Sequence, residues 1–287
     1  MDNTLTIGMS TYDDFDGVFF TICALKTYHN LNNTNILVVD NNPSTIQGQT
    51  TKQFIESINA TYIPFENKKG TSVRNEIFKN STGKYTLCLD CHVLLCPNFI
   101  DNLLRYYLSC GTDCKNIVSG PLINEHMDVC ATHFDEVWRS QMYGTWGFDK
   151  EKYDLGQPFE IPMMGLGVFS CETKNWPGFN EDFRGFGAEE GYIHEKFRLN
   201  GGKAICVPEL KWLHRFYRPN GVSYPLKIED RIWNYFIGWL ELTNDPNNKI
   251  MNDIKEHFYE FVNKESVDKI FEESVEYNET RNSGLSN

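Results

Sequence analysis

Over roughly its first 110 residues the chain alternates two hydrophobic periods, and this narrows the possible folds more than any other feature. The runs "TLTIGMSTY", "NILVVD", "ATYIPF" and "KYTLCLD" read as strands. Between and after them, "DGVFFTICALKTYHN", "TTKQFIESIN", "GTSVRNEIFKNS" and "CPNFIDNLLRYYLS" carry apolar residues at helical spacing. Strands separated by helices predict an α/β fold, a mainly parallel central sheet flanked by helices. Such sheets bind ligands at the carboxyl ends of their strands. The polar clusters near Tyr12, Asp40 and Asp90 all fall at such ends.

The pattern changes near residue 117. "NIVSGPLI" reads as a strand, whereas residues 124–160 are irregular and aromatic, with Trp138, Tyr143, Trp146, Phe148 and Tyr153. That stretch reads either as a binding loop or as an aromatic cover over the sheet. "MMGLGVFSCE" is apolar and glycine-containing, a helix is expected from Glu189 to Leu199, and "KAICVPELKWLHRFYRPNG" gives a strand followed by an aromatic, basic loop. Helical spacing returns over 226–240 and 250–275. The expected organisation is one α/β domain over residues 1–222 and a helical C-terminal extension over 223–287, the latter able to shape a site or a homo-oligomer contact.

A hydrophobic content of 40% over 287 residues suffices for one large core. The net charge of −12 disfavours a duplex nucleic-acid partner. Residues 226–287 hold seven basic and thirteen acidic side chains, which reads as a solvated helical surface. The nine cysteines are odd in number and irregular in spacing, unlike a disulfide framework. Cys88, Cys91 and Cys171 lie in apolar contexts, as reduced thiols would. A zinc set drawn from Cys88, Cys91, Cys110 and Cys114 is the lesser reading, because Cys88 and Cys91 face opposite sides of their strand. The N-terminus has no leader-like apolar stretch, and no segment reaches the roughly 20 apolar residues of a membrane span. The expectation is a soluble protein of a reducing, cytoplasmic compartment.

In "KYTLCLDCHVLL", Asp90 and His92 sit two residues apart, so both project from one face while Leu87 and Leu89 fill the other. A lone carboxylate there is costly to desolvate; a metal ion would make ligands of both groups. Two further clusters stand downstream, Glu189 with Glu190 and His214 with Arg215 and Arg218. Taken singly, each has an ordinary explanation: a turn, acids at a helix N-terminus, a surface loop. Their order and spacing together carry more.

With these motifs the sequence resembles nucleotide-sugar glycosyltransferases of the GT-A fold over roughly residues 4–219. The resemblance is to the group of polypeptide N-acetylgalactosaminyltransferases, β-1,4-galactosyltransferases and bacterial chondroitin polymerases. "LDCH" resembles that group's Asp-x-Asp or Asp-x-His metal motif. "GFNEDFRGFGAEEGYIHEKFRLNGG" resembles its Phe-Asp-Glu…Trp-Gly-Gly-Glu-Asp/Asn stretch, and "WLHRFYR" the segment that supplies a further metal-binding histidine. The resemblance implies Mn²⁺ or another divalent cation on Asp90, His92 and His214, and a UDP-sugar donor. It places Thr11 and Tyr12 beside the uracil, Asp40 on the base N–H, and Arg74 near the base or ribose and the diphosphate. Arg215 and Arg218 would add charge-assisted bonds to phosphate. Gly165 and Gly167 would let the sugar approach the backbone; the alternative is ordinary turn glycines. Trp176 and Phe186 either stack on a sugar or belong to the core.

On the same alignment Glu190 takes the position of the general base of inverting enzymes and Glu189 that of a glutamate contacting the acceptor. The polypeptide transferases, which retain configuration, have Asn at the base position; inverting members usually have Asp. The implied activity is transfer of a sugar to a hydroxyl of a glycan, protein or small molecule, inverting, with the retaining type and a non-catalytic nucleotide- or sugar-binding module as alternatives. A sugar-1-phosphate nucleotidyltransferase would need a basic, glycine-rich N-terminal loop, where "GMSTYDDFDG" carries acids.

Overall fold

The structure is a computed structural model that describes residues 4–217 and 221–284, with side chains to residue 281; Arg218 lies outside the described residues. The expected alternation folds as β1 (Leu5–Thr11), α1 (Phe15–Tyr28), β2 (Thr34–Asp40), α2 (Ile46–Ser57), β3 (Thr61–Pro64), α3 (Arg74–Lys79) and β4 (Tyr85–Asp90). β4, β1, β2 and β3 are neighbours in that order, all parallel. Alternate residues feed opposite cores, as a period of two requires. Ile7, Met9, Leu87 and Leu89 pack on one face, and Leu37, Val39 and Cys88 on the other.

The chain continues through β5 (Val93–Leu95), α4 (Phe99–Cys110), β6 (Ile117–Ser119), β7 (Leu122–Ile123), β8 (Val129–Ala131), β9 (His133–Arg139), β10 (Met142–Gly147), α5 (Lys150–Asp154), β11 (Phe159–Glu160) and β12 (Val168–Glu172). It ends through α6 (Glu189–Leu199), β13 (Ala204–Cys206), β14 (Trp212–His214), α7 (Ile228–Thr243), α8 (Lys249–Phe258) and α9 (Lys264–Gly284). The main sheet has the order β11-β13-β6-β12-β4-β1-β2-β3, with β12 antiparallel to both its neighbours. A smaller sheet, β5-β14-β7-β8, sits beyond the carboxyl end of β4. In it β14 runs antiparallel to β5, with His214 opposite Val93.

Three expectations change. Residues 124–160 are not irregular: they form the antiparallel β9–β10 hairpin, bulged between Tyr143 and Thr145, and then α5. Both faces of β9 are half-exposed or exposed, so no apolar alternation is written into its sequence. The expected helix over 250–275 is two helices. They break around residues 259–263, where the Asn263 side chain accepts from the Ser266 amide. Phe258 is buried but Phe261 is 41% exposed, so the apolar spacing does not continue as one face through the break. Finally, Cys110 and Cys114 form a disulfide at the end of α4, a single local pair, while Cys88, Cys91 and Cys171 are buried and outside any disulfide.

The C-terminal helices are packed into the α/β body. Trp233 and Ile237 of α7 share a core with Phe169 and Ile193. Trp138 and Tyr143 of the hairpin pack against the cluster formed by α7, α8 and α9. Among the described residues no helix is long and apolar enough to cross a membrane.

Candidate active site

Asp90 ends β4 at the floor of a cavity of about 450 Å³. One carboxylate oxygen accepts from Arg74 Nη2 at 2.9 Å; the other lies 3.4 Å from His214 Nε2 and 3.9 Å from His92 Nε2. The ligand atoms of Asp90, His92 and His214 all lie within 4.8 Å of one another. The pairing of β14 with β5 produces this meeting, since it lays His214 beside the turn that carries His92. The backbone amide of Arg215 also donates to the His92 carbonyl, at 3.1 Å. Burial opposes ionisation of Asp90. The hydrogen bond with His214 and the charge of Arg74 overcome it and hold the carboxyl far below the usual range.

Asp14 orients His92. It caps α1, accepting from the Gly17 amide at 3.1 Å through Oδ1, and its Oδ2 lies 2.9 Å from His92 Nδ1. Burial raises its pKa, but the bond to His92 and the charge of Arg215 outweigh that and hold it below the usual carboxylate range. A carboxylate on Nδ1–H leaves the imidazole lone pair on Nε2, the atom that faces Asp90. Arg215, expected at phosphate, is bound to Asp14 at 2.9 Å.

Arg74 joins the metal-ligand cluster to the glutamates. Its guanidinium, 9% exposed, faces Asp90 and, through Nη1 at 3.6 Å, Glu189. The approach depends on Gly70 (φ +138°), whose added Cβ would fall 1.9 Å from the Gly185 carbonyl oxygen. That oxygen receives the Thr71 amide at 3.0 Å, tying the entry of α3 to the segment before α6. Ala188, left-handed at φ +75°, then turns the chain into α6 so that Glu189 and Glu190 both line the cavity. Burial, and next to it the charge of Glu189, raises Glu190 to about 8.

The remaining expected residues divide. Thr11 and Tyr12 line the cavity. Asp40 does not: it is 1% exposed, and its oxygens accept from the Asn42 amide and the Tyr62 hydroxyl at 2.9 and 2.8 Å. Its neighbour Asn41 lines the cavity instead. Gly165 and Gly167 line it too, and their smallness serves aromatic neighbours. An added Cβ would stand 2.9 Å from the Phe134 ring at Gly165 and 2.9 Å from the Trp212 ring at Gly167. Phe186 lines the cavity with its ring 4.1 Å from that of Tyr224. Trp176 stacks on Phe78 at 3.9 Å in the core.

Sequence reasoning passed over Asp14 and Arg231. Asp14 was legible as a helix cap but not as a partner of His92, 78 residues away. Arg231, on α7, reaches the cavity over Gly187 and bonds Gln141 Oε1 at 3.2 Å. No motif marks it, because its position follows from how α7 packs.

Residues 6–120 match the model of Glycosyl transferase family 2. The fold is GT-A. The chain resembles the glycosyltransferases of that group and is similar to GalNAc-T7, solved with UDP, GalNAc and Mn²⁺. The TM-score is 0.70 at 15% identity, covering 97% of this chain and 57% of that one. TarS of S. aureus in complex with UDP-GlcNAc gives 0.57 at 13% identity, over 90% of this chain and 73% of that one. The mannosyltransferase PcManGT from Pyrobaculum calidifontis, in complex with GDP-Man and Mn²⁺, gives 0.56 at 13%, over 94% and 73%. This chain therefore spans a little over half of the GalNAc-T7 chain. No curated protein matches its sequence significantly.

Proposed function

We propose that the protein is a metal-dependent, inverting glycosyltransferase that moves a sugar from a UDP-sugar to a hydroxyl of a glycan, protein or small molecule. The observation that carries this is the meeting of Asp90, His92 and His214 at one end of a cavity that also holds Glu190. The donor set suits a divalent cation. One carboxylate and two imidazoles are ligands that Mn²⁺ accepts, and Asp14 directs the His92 lone pair toward the other two. When bound, the cation would neutralise charge gathering on the departing diphosphate. Mn²⁺ named for the GalNAc-T7 and PcManGT structures supports the choice of ion, and the uridine nucleotides named for GalNAc-T7 and TarS support the choice of donor.

The chain's own residues supply the rest. Arg74 keeps Asp90 ionised and in place while its Nε, without a hydrogen-bond partner among the described residues, remains a donor. Thr11, Tyr12 and Asn41 form the wall nearest the base of a nucleotide laid over β1 and β2. Asp40, next to Asn41 in sequence, is held out of the cavity by the Asn42 amide and the Tyr62 hydroxyl. Gly165 and Gly167 let the Phe134 and Trp212 rings pack into the wall that the donor sugar would meet. Glu189, turned to Arg74, holds an acceptor hydroxyl, and Glu190 removes its proton as the bond to the anomeric carbon forms. A partly buried carboxylate of raised basicity suits that step.

Release of UDP from a panel of UDP-sugars, with Mn²⁺ and with EDTA, tests the assignment. Turnover that needs the metal, and that is lost in Asp90→Asn and His214→Ala, is expected. Tight UDP binding with no release under any divalent ion would leave a binding module instead. Proton NMR of the product's anomeric centre tests the stereochemistry, and a retained anomer would remove Glu190 from the base role.

A further inference from the structure

A second trio of ligand-bearing side chains shares His92 with the first. Asp14 Oδ2, Cys91 Sγ and His92 Nδ1 form a triangle with edges of 2.9 Å (His92–Asp14), 3.5 Å (Cys91–His92) and 3.7 Å (Cys91–Asp14). All three residues line the cavity, so an ion can reach them from it. Arg215 and the Gly17 amide occupy Asp14 Oδ1, which keeps Oδ2 turned toward the sulfur and the ring.

The triangle has the dimensions of a tetrahedral zinc face. Bonds of about 2.3 Å to sulfur and about 2.05 Å to nitrogen or oxygen set S···N and S···O edges near ~3.6 Å and an N···O edge near ~3.3 Å. Both sulfur edges lie within ~0.1 Å of that, and the His92–Asp14 edge needs to open by ~0.4 Å as its hydrogen bond gives way to two metal bonds.

We infer that Asp14, Cys91 and His92 Nδ1 form a second cation site, selective for a thiophilic divalent ion such as Zn²⁺, and that filling it disables the first. Selectivity follows from the thiolate, which soft and borderline ions prefer and Mn²⁺ does not. The antagonism follows from the tautomer and rests on the functional reading above. A neutral imidazole has one lone pair. With Nδ1–H on Asp14 that pair is on Nε2, available to the Asp90–His214 site. An ion on Nδ1 takes the pair there. The ring proton then resides on Nε2, reached by exchange with solvent, and the Cys91 thiol proton leaves to solvent. Nε2–H cannot ligate, so each ion weakens the other by the same factor.

Cd²⁺ is the probe, read by its thiolate charge-transfer absorption in the ultraviolet, with Mn²⁺ followed by electron paramagnetic resonance. Wild type is expected to develop the band and to release bound Mn²⁺ as it does so. Cys91→Ser and Cys91→Ala, read together, should lose the band's strongest component and weaken Cd²⁺ by at least the ~10–100-fold that loss of an outer-shell partner costs. Whatever Mn²⁺-supported UDP release each variant retains should resist inhibition by Zn²⁺ where that of wild type does not. An unchanged band in the variants, or Mn²⁺ retained at full Cd²⁺ occupancy, overturns the proposal. If the band depends on Cys91 but wild type never binds Mn²⁺, the second site stands and the reading of the first fails.

Discussion

Glu190→Gln is the substitution with the most to say about mechanism. The side chain keeps its size and loses its basicity. In the wild type the group titrates at about 8, raised first by burial and then by Glu189. The active form is the carboxylate, so the rate must rise with pH. A carboxyl raised that far is largely protonated near neutral pH and ionises as the pH climbs, so kcat/KM should rise from pH 7 to pH 9. The amide cannot accept the acceptor's proton, and general-base contributions of about 10²–10⁴ correspond to about 3–5 kcal/mol of barrier. The assay is initial-rate UDP release at saturating Mn²⁺ from pH 6 to 9.5, for wild type and variant. A wild-type profile that is flat, or a variant that keeps both the rate and the slope, would show that another group takes the proton. Stability carries the same signature with opposite sign. Between about 4.5 and about 8 the folded protein holds a proton that the unfolded chain has released, so this group's contribution falls as pH rises. Chemical denaturation at pH 6 and pH 9 should therefore show Glu190→Gln gaining on wild type at the higher pH.

Asp14→Asn should weaken Mn²⁺ binding ~10–100-fold by releasing the His92 ring, measured by calorimetric titration; unchanged affinity would deny Asp14 its orienting role. Arg74→Met should cost about 3–5 kcal/mol in urea denaturation, because Asp90 and Glu189 lose the buried cation between them. Gly167→Ala should destabilise by about 1–3 kcal/mol, since its methyl meets the Trp212 ring at 2.9 Å. A neutral effect there would mean that the glycine serves a ligand and not the packing.

The α/β class, the parallel core and the strand-end location of the site follow from local patterns. Runs such as "NILVVD" bury both faces and declare themselves by composition alone. Helix α6 is bounded as its sequence implies, because glycines and turn residues frame it. The pairing of Asp90 with His92 is equally local, a matter of period two. Where a segment is half-buried on both sides, as β9 is, no period is written and the hairpin is invisible.

The rest belongs to the fold in three dimensions. His214 reaches Asp90 across 124 positions because β14 pairs with β5, and strand partners are chosen by the whole core. Asp14 finds His92, and Arg231 finds the cavity, for the same reason. Asp40 shows the converse: its type and its place at a strand end suit a base, yet packing surrounds it with Asn42 and Tyr62. Local sequence determines which groups are available and which way a strand or helix turns them. Which of them share a volume is decided by contacts between distant segments, whose energies are collective and are not inscribed in any one motif.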